Sequence, residues 1–179
     1  MGQRIALLRG INLGPHKRIA MPALRDLIAS AGFDDVRTYV QSGNVVLSSE
    51  APPDQVADEL ERRIAEEFGF EVDVIVRTGE ELARVVKRNP LGDVAVNPKR
   101  YQVSFLNSEL DAQRAEELAD LATESERLVA IGRELYAWHP DGVARSKLSA
   151  KLARPSSGVK ATARNWATVT ALNEMAGGG

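Results

Sequence analysis

The stretch VRTYVQSGNVVLSS, residues 36–49, constrains the fold more than any other part of the sequence. In residues 36–41, Val, Thr and Val alternate with Arg, Tyr and Gln, which is the period-two pattern of a β-strand with unlike faces. Ser42 and Gly43 supply a turn, since glycine adopts positive φ without steric cost. Residues 45–47 are apolar and rich in β-branched side chains, which suits a strand inside a sheet. The stretch therefore predicts a β-hairpin around which the remaining elements are arranged.

The elements on either side of this hairpin complete a recognisable order. Residues 4–8 predict a buried strand, and a turn-rich loop follows through residue 19. A helix with apolar residues at helical spacing then ends at Gly32. After the hairpin, Pro52-Pro53-Asp54 opens a second predicted helix that runs until Gly69, and residues 72–76 predict another strand. The first part of the chain thus follows the β-α-β-β-α-β order of a ferredoxin-like fold.

The second part of the chain partly repeats that order. A short helix over residues 80–87 and a connection over residues 89–99 precede a strand over 101–106 and a helix over 111–121. Strands over 127–131 and 134–138 are joined by a tight turn at Gly132 and Arg133. Helices are predicted over 145–152 and 163–175, the latter capped by Thr162. We therefore predict an α+β protein of two ferredoxin-like halves with antiparallel sheets, residues 1–88 and 89–179. The second half lacks a clear fourth strand and ends in helices, and the pattern leaves open whether the halves form one compact unit.

Composition excludes several functional classes. The 179 residues contain no cysteine and only two histidines, which excludes disulfides, thiolate nucleophiles and cysteine or histidine-rich metal centres. No apolar run reaches the roughly 18 to 20 residues that cross a bilayer, and the N-terminal apolar stretch is too short for a signal peptide. We therefore predict a cytoplasmic location, no membrane partner, no cofactor and no metal.

The charges are unevenly distributed along the chain. Between Gly142 and Asn173 there is no acidic residue, while six lysines and arginines occur there. Because the whole chain carries −2, the remainder carries −8. Clustered cations raise the local concentration of phosphates and carboxylates, so this segment indicates either an anionic partner or a basic face that balances acidic helices.

Five sequence blocks resemble, in the same order, those of the bacterial DUF1697 family. They are LLRGINLG near the start, TYVQSGNVVL in the hairpin, NPLG in the connection, GVARSKL after residue 141 and TARNWATV near the end. The resemblance spans nearly the whole chain. It implies an α+β fold in cytoplasmic bacterial proteins, and it implies no established activity.

Polar residues in the first half form one candidate site. Arg9 and Asn12 lie in the glycine-bearing loop after the first predicted strand, where backbone N–H groups can turn towards a phosphate. The spacing matches neither a P-loop nor a dinucleotide-binding loop, so Arg9 could equally pair with a carboxylate while Asn12 shapes the crossover. Ser42 and Asn44, at the hairpin tip, either face the same cleft or serve only the turn.

Polar residues in the second half form another candidate site at the starts of two predicted helices. Arginine offers a planar fork for phosphate, lysine a point charge, serine and asparagine short hydrogen bonds, and tryptophan a flat surface for a base. The alternative is that Trp166 anchors the core while its neighbours cap or pair locally. The residues concerned are Arg145, Ser146, Lys147, Arg164, Asn165 and Trp166.

Three functional hypotheses follow. The first is a protein that binds a small phosphate-bearing anion in a cleft lined by residues of both candidate sites. The second, ranked below it, is a nucleic-acid-binding module; the chain is only 5% aromatic and has no RNA-binding sheet motif. The third is a structural or assembly protein whose basic face meets the acidic face of a second copy, giving a homo-oligomer. Enzymatic activity is left undecided, because no sequence pattern identifies a nucleophile or base, and His139 is interpreted as a strand-end residue.

Overall fold

In the computed structural model, which describes residues 1–178, the chain forms two compact units. The first contains residues 1–84 and the segment from residue 172 onward, and the second contains residues 85–171. Gly179, the last residue of the predicted second half, lies outside the described residues.

Fourteen helices and strands alternate along these residues. Up to the middle of the chain they are β1 (Gly2–Leu8), α1 (Met21–Ser30), β2 (Asp34–Tyr39), β3 (Asn44–Ser49), α2 (Pro53–Phe68), β4 (Val74–Thr78) and α3 (Gly79–Arg88). The later elements are β5 (Tyr101–Leu106), α4 (Ala112–Ala119), β6 (Arg127–Ile131), β7 (Glu134–Trp138), α5 (Lys147–Leu152), β8 (Ala161–Asn165) and α6 (Trp166–Met175). No helix among residues 1–178 is both long and apolar enough to span a bilayer.

The first unit contains a four-stranded antiparallel sheet in the order β2-β3-β1-β4. β3 lies inside the sheet, as its apolar sequence predicts. α2 places Val56, Leu60 and Ile64 on one side because they recur every four residues, and these side chains join a core formed with β1, β3 and α1. α2 ends where Gly69 adopts a left-handed conformation with φ +79°.

The second unit repeats this topology, with a sheet in the order β6-β7-β5-β8. β8 is the fourth strand that the sequence analysis did not find, and it pairs with β5 from Ala161 opposite Leu106 to Asn165 opposite Gln102. The helix predicted from residue 163 is therefore wrong over its first three residues, and α6 begins at Trp166. The sequence ATARN of β8 contains small and polar residues rather than a β-branched run, so its strand conformation depends on pairing with β5. Both α+β halves are thus complete.

The central strands of each sheet carry buried side chains on both faces. In β1, Ile5 and Leu7 on one face and Ala6 and Leu8 on the other are at most 1% exposed. In the second unit, one face joins a core that includes Leu106, Leu118, Leu135, Leu148 and Leu152. The other face carries Tyr101, Phe105 and Tyr136, which are also at most 1% exposed.

Candidate functional site

The loop after β1 and the tip of the β2–β3 hairpin lie together at one end of the first sheet. β1 and β3 are antiparallel, with Leu7 opposite Asn44, so the end of β1 lies beside the start of β3. The Leu8 amide donates a hydrogen bond of 2.9 Å to the Gly43 carbonyl. The four first-half residues predicted from the sequence are therefore brought to the same end of this unit; they are Arg9, Asn12, Ser42 and Asn44.

Asn12 fastens the loop to the hairpin. Its Nδ2 donates to the Ile19 carbonyl at 2.9 Å and to the Gln41 carbonyl at 2.8 Å, and its Oδ1 accepts from the Ile19 amide at 2.9 Å. The residue itself has φ +56°, a left-handed conformation that asparagine tolerates better than most residues. Both donors of the amide and its oxygen are thus used within the fold.

The hairpin tip is held by Asn44 and packed closely at Gly43. Asn44 is fully buried, and its Nδ2 donates to the Tyr39 carbonyl and to the Ser42 hydroxyl, each at 3.1 Å. Gly43 has φ +82°, and a Cβ there would lie 2.8 Å from Leu8 Cβ, which is too close for any side chain. Only glycine suits this position.

Two cations of the same loop, Arg9 and Lys17, have partners in the segment that leads into β4. Arg9 NH1 lies 3.6 Å from Asp73 Oδ2, and the Arg9 amide donates to the Asp73 carbonyl at 2.9 Å. Lys17 Nζ donates to the Glu71 carbonyl at 3.0 Å. These contacts anchor the loop, and the ion pair offsets the charge of Arg9 with that of Asp73.

In the second unit, Arg164 lies within β8 rather than at a helix start. Its guanidinium donates to the Thr162 hydroxyl at 2.7 Å and to the Ala163 carbonyl at 2.9 Å. Burial lowers the pKa of Arg164 to about 10, because desolvation disfavours the charged form. The side chain is therefore part of the folded interior.

Asn165 and Trp166 mark the start of α6. Asn165 Oδ1 accepts a hydrogen bond of 2.9 Å from the Thr168 amide, which is the contact of a helix N-cap. The Trp166 ring stacks on Tyr101 with centroids 4.7 Å apart and an angle of 14° between the planes. Stacking at this separation contributes to packing, so one face of the Trp166 ring is covered by Tyr101.

Four exposed cations surround α5 and form what we call the basic α5 surface. The set is Arg145, Lys147, Lys151 and Arg154. Leu148 and Leu152 each follow one of the helix lysines, so they lie on the neighbouring side of α5, about 100° round its axis, and are buried in the core of the second unit. None of the four cations forms an ion pair with any residue in the range 1–178.

A hydrogen-bonded network lies at the start of this helix. Glu126 Oε2 is 2.6 Å from Nδ1 of His139 and accepts from the Ser146 hydroxyl at 2.5 Å. Glu126 Oε1 accepts from the Thr123 amide at 3.2 Å, and the Ser146 oxygen accepts from the Ser149 amide at 3.0 Å as the N-cap of α5. His139 is fully buried and Glu126 is 6% exposed.

The ionisation of Glu126 reflects two opposing effects. Burial raises its pKa, but hydrogen bonds from His139, Ser146 and the Thr123 amide, together with the charge of His139, outweigh burial and lower the pKa below its usual value. Glu126 is therefore held as a carboxylate at neutral pH.

The sequence analysis missed Glu126 and interpreted His139 only as a strand-end residue. The signal was the predicted hairpin over residues 127–138, whose two-residue turn places Ile131 opposite Glu134 and Arg127 opposite Trp138. Continuing this register by one pair places Glu126 opposite His139. The contact to Ser146 has no equivalent signal, because it depends on where α5 packs.

A cleft in the first unit lies apart from the residues described above. It has a volume of about 470 Å³ and is lined by Arg4, Thr78, Glu80 and glycine backbone, and none of the sequence-predicted site residues lines it. Among residues 1–178, no cluster of three or more His, Asp or Glu side chains is arranged to hold a metal ion.

Comparisons with known proteins agree with this architecture. The chain is similar over 98% of its length to a solved structure, that of the conserved bacterial protein SP0830 from Streptococcus pneumoniae, which is itself covered over 98%. The TM-score is 0.77 and the sequence identity is 20%, a likeness that concerns the fold alone. No curated protein matches the chain significantly. A family model described as a protein of unknown function, DUF1697, matches residues 1–136. The chain therefore belongs to the DUF1697 family, as the five sequence blocks predict.

Proposed function

We propose that the protein binds a phosphate-bearing anion through the basic α5 surface. The observation that carries the proposal is that its four cations are exposed and form no ion pair with any of the described residues. By contrast, the exposed Arg62 forms ion pairs with Glu59 and Glu66. Cations without counter-ions are free to attract an anion from solution.

The geometry of α5 favours joint action of these cations. Lys147 and Lys151 are four residues apart, so they lie on the same side of the helix. Arg154 follows one turn later along the chain, and Arg145 precedes the N-cap. Because Leu148 and Leu152 anchor the buried side, the cationic side chains are directed away from the core. A ligand with several negative charges would contact more than one of them.

Local electrostatics support the same surface. The 32-residue segment from Gly142 to Asn173 contains no acidic residue, so no carboxylate within the segment neutralises the surface. The buried Glu126 carboxylate contacts Ser146 from outside this segment. Of the residues predicted from the sequence, Arg145, Ser146 and Lys147 belong to this region. Arg164 and Trp166 contribute to packing, so the proposal does not require them as ligands.

A small phosphate compound is favoured over a nucleic acid as the ligand. Ferredoxin-like RNA-binding modules stack bases on exposed aromatic residues of the sheet. Here Tyr101, Phe105 and Tyr136 are at most 1% exposed, so this stacking mode has no surface to use. The cytoplasmic location and the homo-oligomer expected from the sequence stay predictions.

The experiment is calorimetric titration of the protein with sodium triphosphate at low salt. The test variant is Lys147→Glu/Lys151→Glu, and the matched control is Lys87→Glu/Lys99→Glu, which makes the same change in net charge at two other exposed lysines. A unit-charge pair about 4 Å apart is worth ~1 kcal/mol in water. Loss of two such pairs should therefore weaken binding at least about 30-fold, since 1.4 kcal/mol is a factor of ten.

The control should bind triphosphate nearly as well as the unchanged protein. Equal weakening in both double variants would mean that net charge alone attracts the anion, and the proposal would be wrong. Absence of triphosphate binding to the unchanged protein would also reject it. Tighter binding of a short single-stranded oligonucleotide than of triphosphate would replace the small ligand with a nucleic acid.

A further inference from the structure

We infer that Glu126 is a positioning residue for the basic α5 surface, acting through Ser146 and held in place by the buried ring of His139. This inference rests on the proposed function, because it concerns how the same surface is kept ready to bind an anion. Glu126 is beneath the surface rather than part of it, since it is 6% exposed.

α5 cannot hold its own orientation. It has six residues, and isolated helices of this length are not stable in water. Its orientation therefore depends on tertiary contacts. Leu148 and Leu152 hold its buried side in the core, and Ser146 holds its start.

The Ser146 side chain has two hydrogen-bond partners. Its oxygen accepts from the Ser149 amide as the N-cap, while its hydroxyl hydrogen is donated to Glu126 Oε2 at 2.5 Å. Ser146 lies directly between Arg145 and Lys147 in the sequence. Because the Ser146 side chain is held by these hydrogen bonds, the backbone at Arg145 and Lys147 is held in position as well.

Glu126 is itself held by hydrogen bonds to two other segments of the chain. Its Oε1 accepts from the Thr123 amide, and its amide in turn donates to the Thr123 hydroxyl at 3.3 Å. His139 contacts Oε2 through Nδ1, and the His139 amide donates to the Arg100 carbonyl at 3.0 Å. The carboxylate thus links the turn before β6, the end of β7 and the start of α5.

The direction of the effect of Glu126→Gln separates positioning from simple electrostatics. Removing a negative charge close to the surface should strengthen binding of an anion if charge alone matters. If Glu126 positions α5, the glutamine amide is a weaker hydrogen-bond acceptor for Ser146 than the carboxylate. The start of α5 is then held less firmly, and triphosphate binding becomes weaker. We expect triphosphate binding to weaken about threefold or more in Glu126→Gln and in Ser146→Ala, in line with the usual cost of losing an N-cap contact.

Rescue provides the second readout. Ser146→Thr keeps a hydroxyl that can both cap the helix and bond to Glu126, so it should bind triphosphate within about twofold of the unchanged protein, since threonine is nearly as good an N-cap as serine. Amide hydrogen exchange of residues 148–152 should be faster in Ser146→Ala and in Glu126→Gln and unchanged in Ser146→Thr. Thermal unfolding of each variant identifies any variant that fails to fold. If Glu126→Gln does not fold, the comparison of Ser146→Ala with Ser146→Thr decides the outcome.

Failure of this inference and failure of the proposed function give different results. If the unchanged protein binds triphosphate and both Glu126→Gln and Ser146→Ala bind it equally well or better, positioning is wrong and the binding surface stands. If triphosphate does not bind at all, the proposed function fails. In that case, unchanged exchange of residues 148–152 in both variants would overturn positioning as well.

Discussion

Replacement of Gly43 by alanine should destabilise the first unit more than any other glycine-to-alanine change in its loops. Gly43 has φ +82° at the tip of the β2–β3 hairpin, where an added Cβ would lie 2.8 Å from Leu8 Cβ and 3.0 Å from Ile11 Cδ1. Leu8 and Ile11 are at most 1% exposed and belong to the core, so neither can move freely. The substitution therefore combines an unfavourable backbone conformation with overpacking.

The two contributions can be estimated separately. A left-handed conformation costs a residue with a Cβ roughly 1–2 kcal/mol. Insertion of a methyl group into a packed core costs typically about 1–3 kcal/mol. Gly43→Ala should then lower the free energy of unfolding by about 2–5 kcal/mol, with the sum taken over both terms.

Gly10→Ala is the matched control for this prediction. Gly10 lies in the neighbouring loop with φ +70°, and no atom lies within 4 Å of the position that its Cβ would occupy. Gly10→Ala is therefore destabilised only by the left-handed backbone conformation. Both substitutions reduce the conformational entropy of the unfolded chain by the same amount, because each replaces glycine with alanine. Urea denaturation followed by circular dichroism gives the difference directly. Equal destabilisation by the two substitutions would refute the argument that close packing at Leu8 requires glycine.

Further predictions concern the core, the loop and pH. Leu60→Ala should destabilise the protein by about 2–5 kcal/mol in urea denaturation, whereas Leu13→Ala, at a side chain that is 82% exposed, should change stability by less than ~0.5 kcal/mol. Asn12→Asp removes both Nδ2 donors and should speed amide exchange over residues 10–19; unchanged exchange would show that these bonds do not hold the loop. Burial raises the pKa of Glu126, but its hydrogen-bond donors lower it by more, so the pKa in the folded protein is below 4.5. The Glu126 carboxylate therefore stabilises the fold above pH 4.5, and this stabilisation is lost as the pH falls through the folded pKa. The acid-unfolding profile of Glu126→Gln should lack this part of the pH dependence, and identical profiles would contradict the assignment.

The predicted first sheet illustrates where sequence patterns are informative. Alternation over residues 36–41 and the Ser42-Gly43 turn indicate the hairpin, because a period of two followed by a turn-forming glycine is typical of two strands joined by a turn. The position of β3 inside the sheet follows from its three consecutive apolar residues, 45–47, because a run without alternation is typical of a strand that is buried on both faces.

β8 illustrates where such patterns are uninformative. Its residues have no strong strand propensity, and the apolar spacing of α6 continues backwards into them, so the helix was predicted to begin too early. Pairing with β5 supplies the hydrogen bonds that make the segment a strand. The same error placed Arg164 at a helix start, whereas the structure places it in the interior.

The candidate site divides in the same manner. The sequence analysis identified Arg145 and Lys147 as cations in an acid-free segment, and both residues are exposed in the structure. It assigned Asn12 and Asn44 to ligand binding as readily as to turn geometry, and their side chains make hydrogen bonds within the loop and the hairpin tip. Residue type alone could not separate these roles, because an amide offers the same donors to a ligand and to a backbone carbonyl.

By itself the sequence determined the β-α-β-β-α-β order of the first half and part of its repeat, the central hairpin and the acid-free segment, because these depend on the apolar spacing and charge of neighbouring residues. The tertiary structure alone decided that β8 is a strand, that Arg164 is buried and that Ser146 meets Glu126. These features depend on contacts between residues far apart in the chain, for example the 20 positions that separate Glu126 from Ser146. Such contacts form only when packing brings the segments together, and no local pattern of side chains records them.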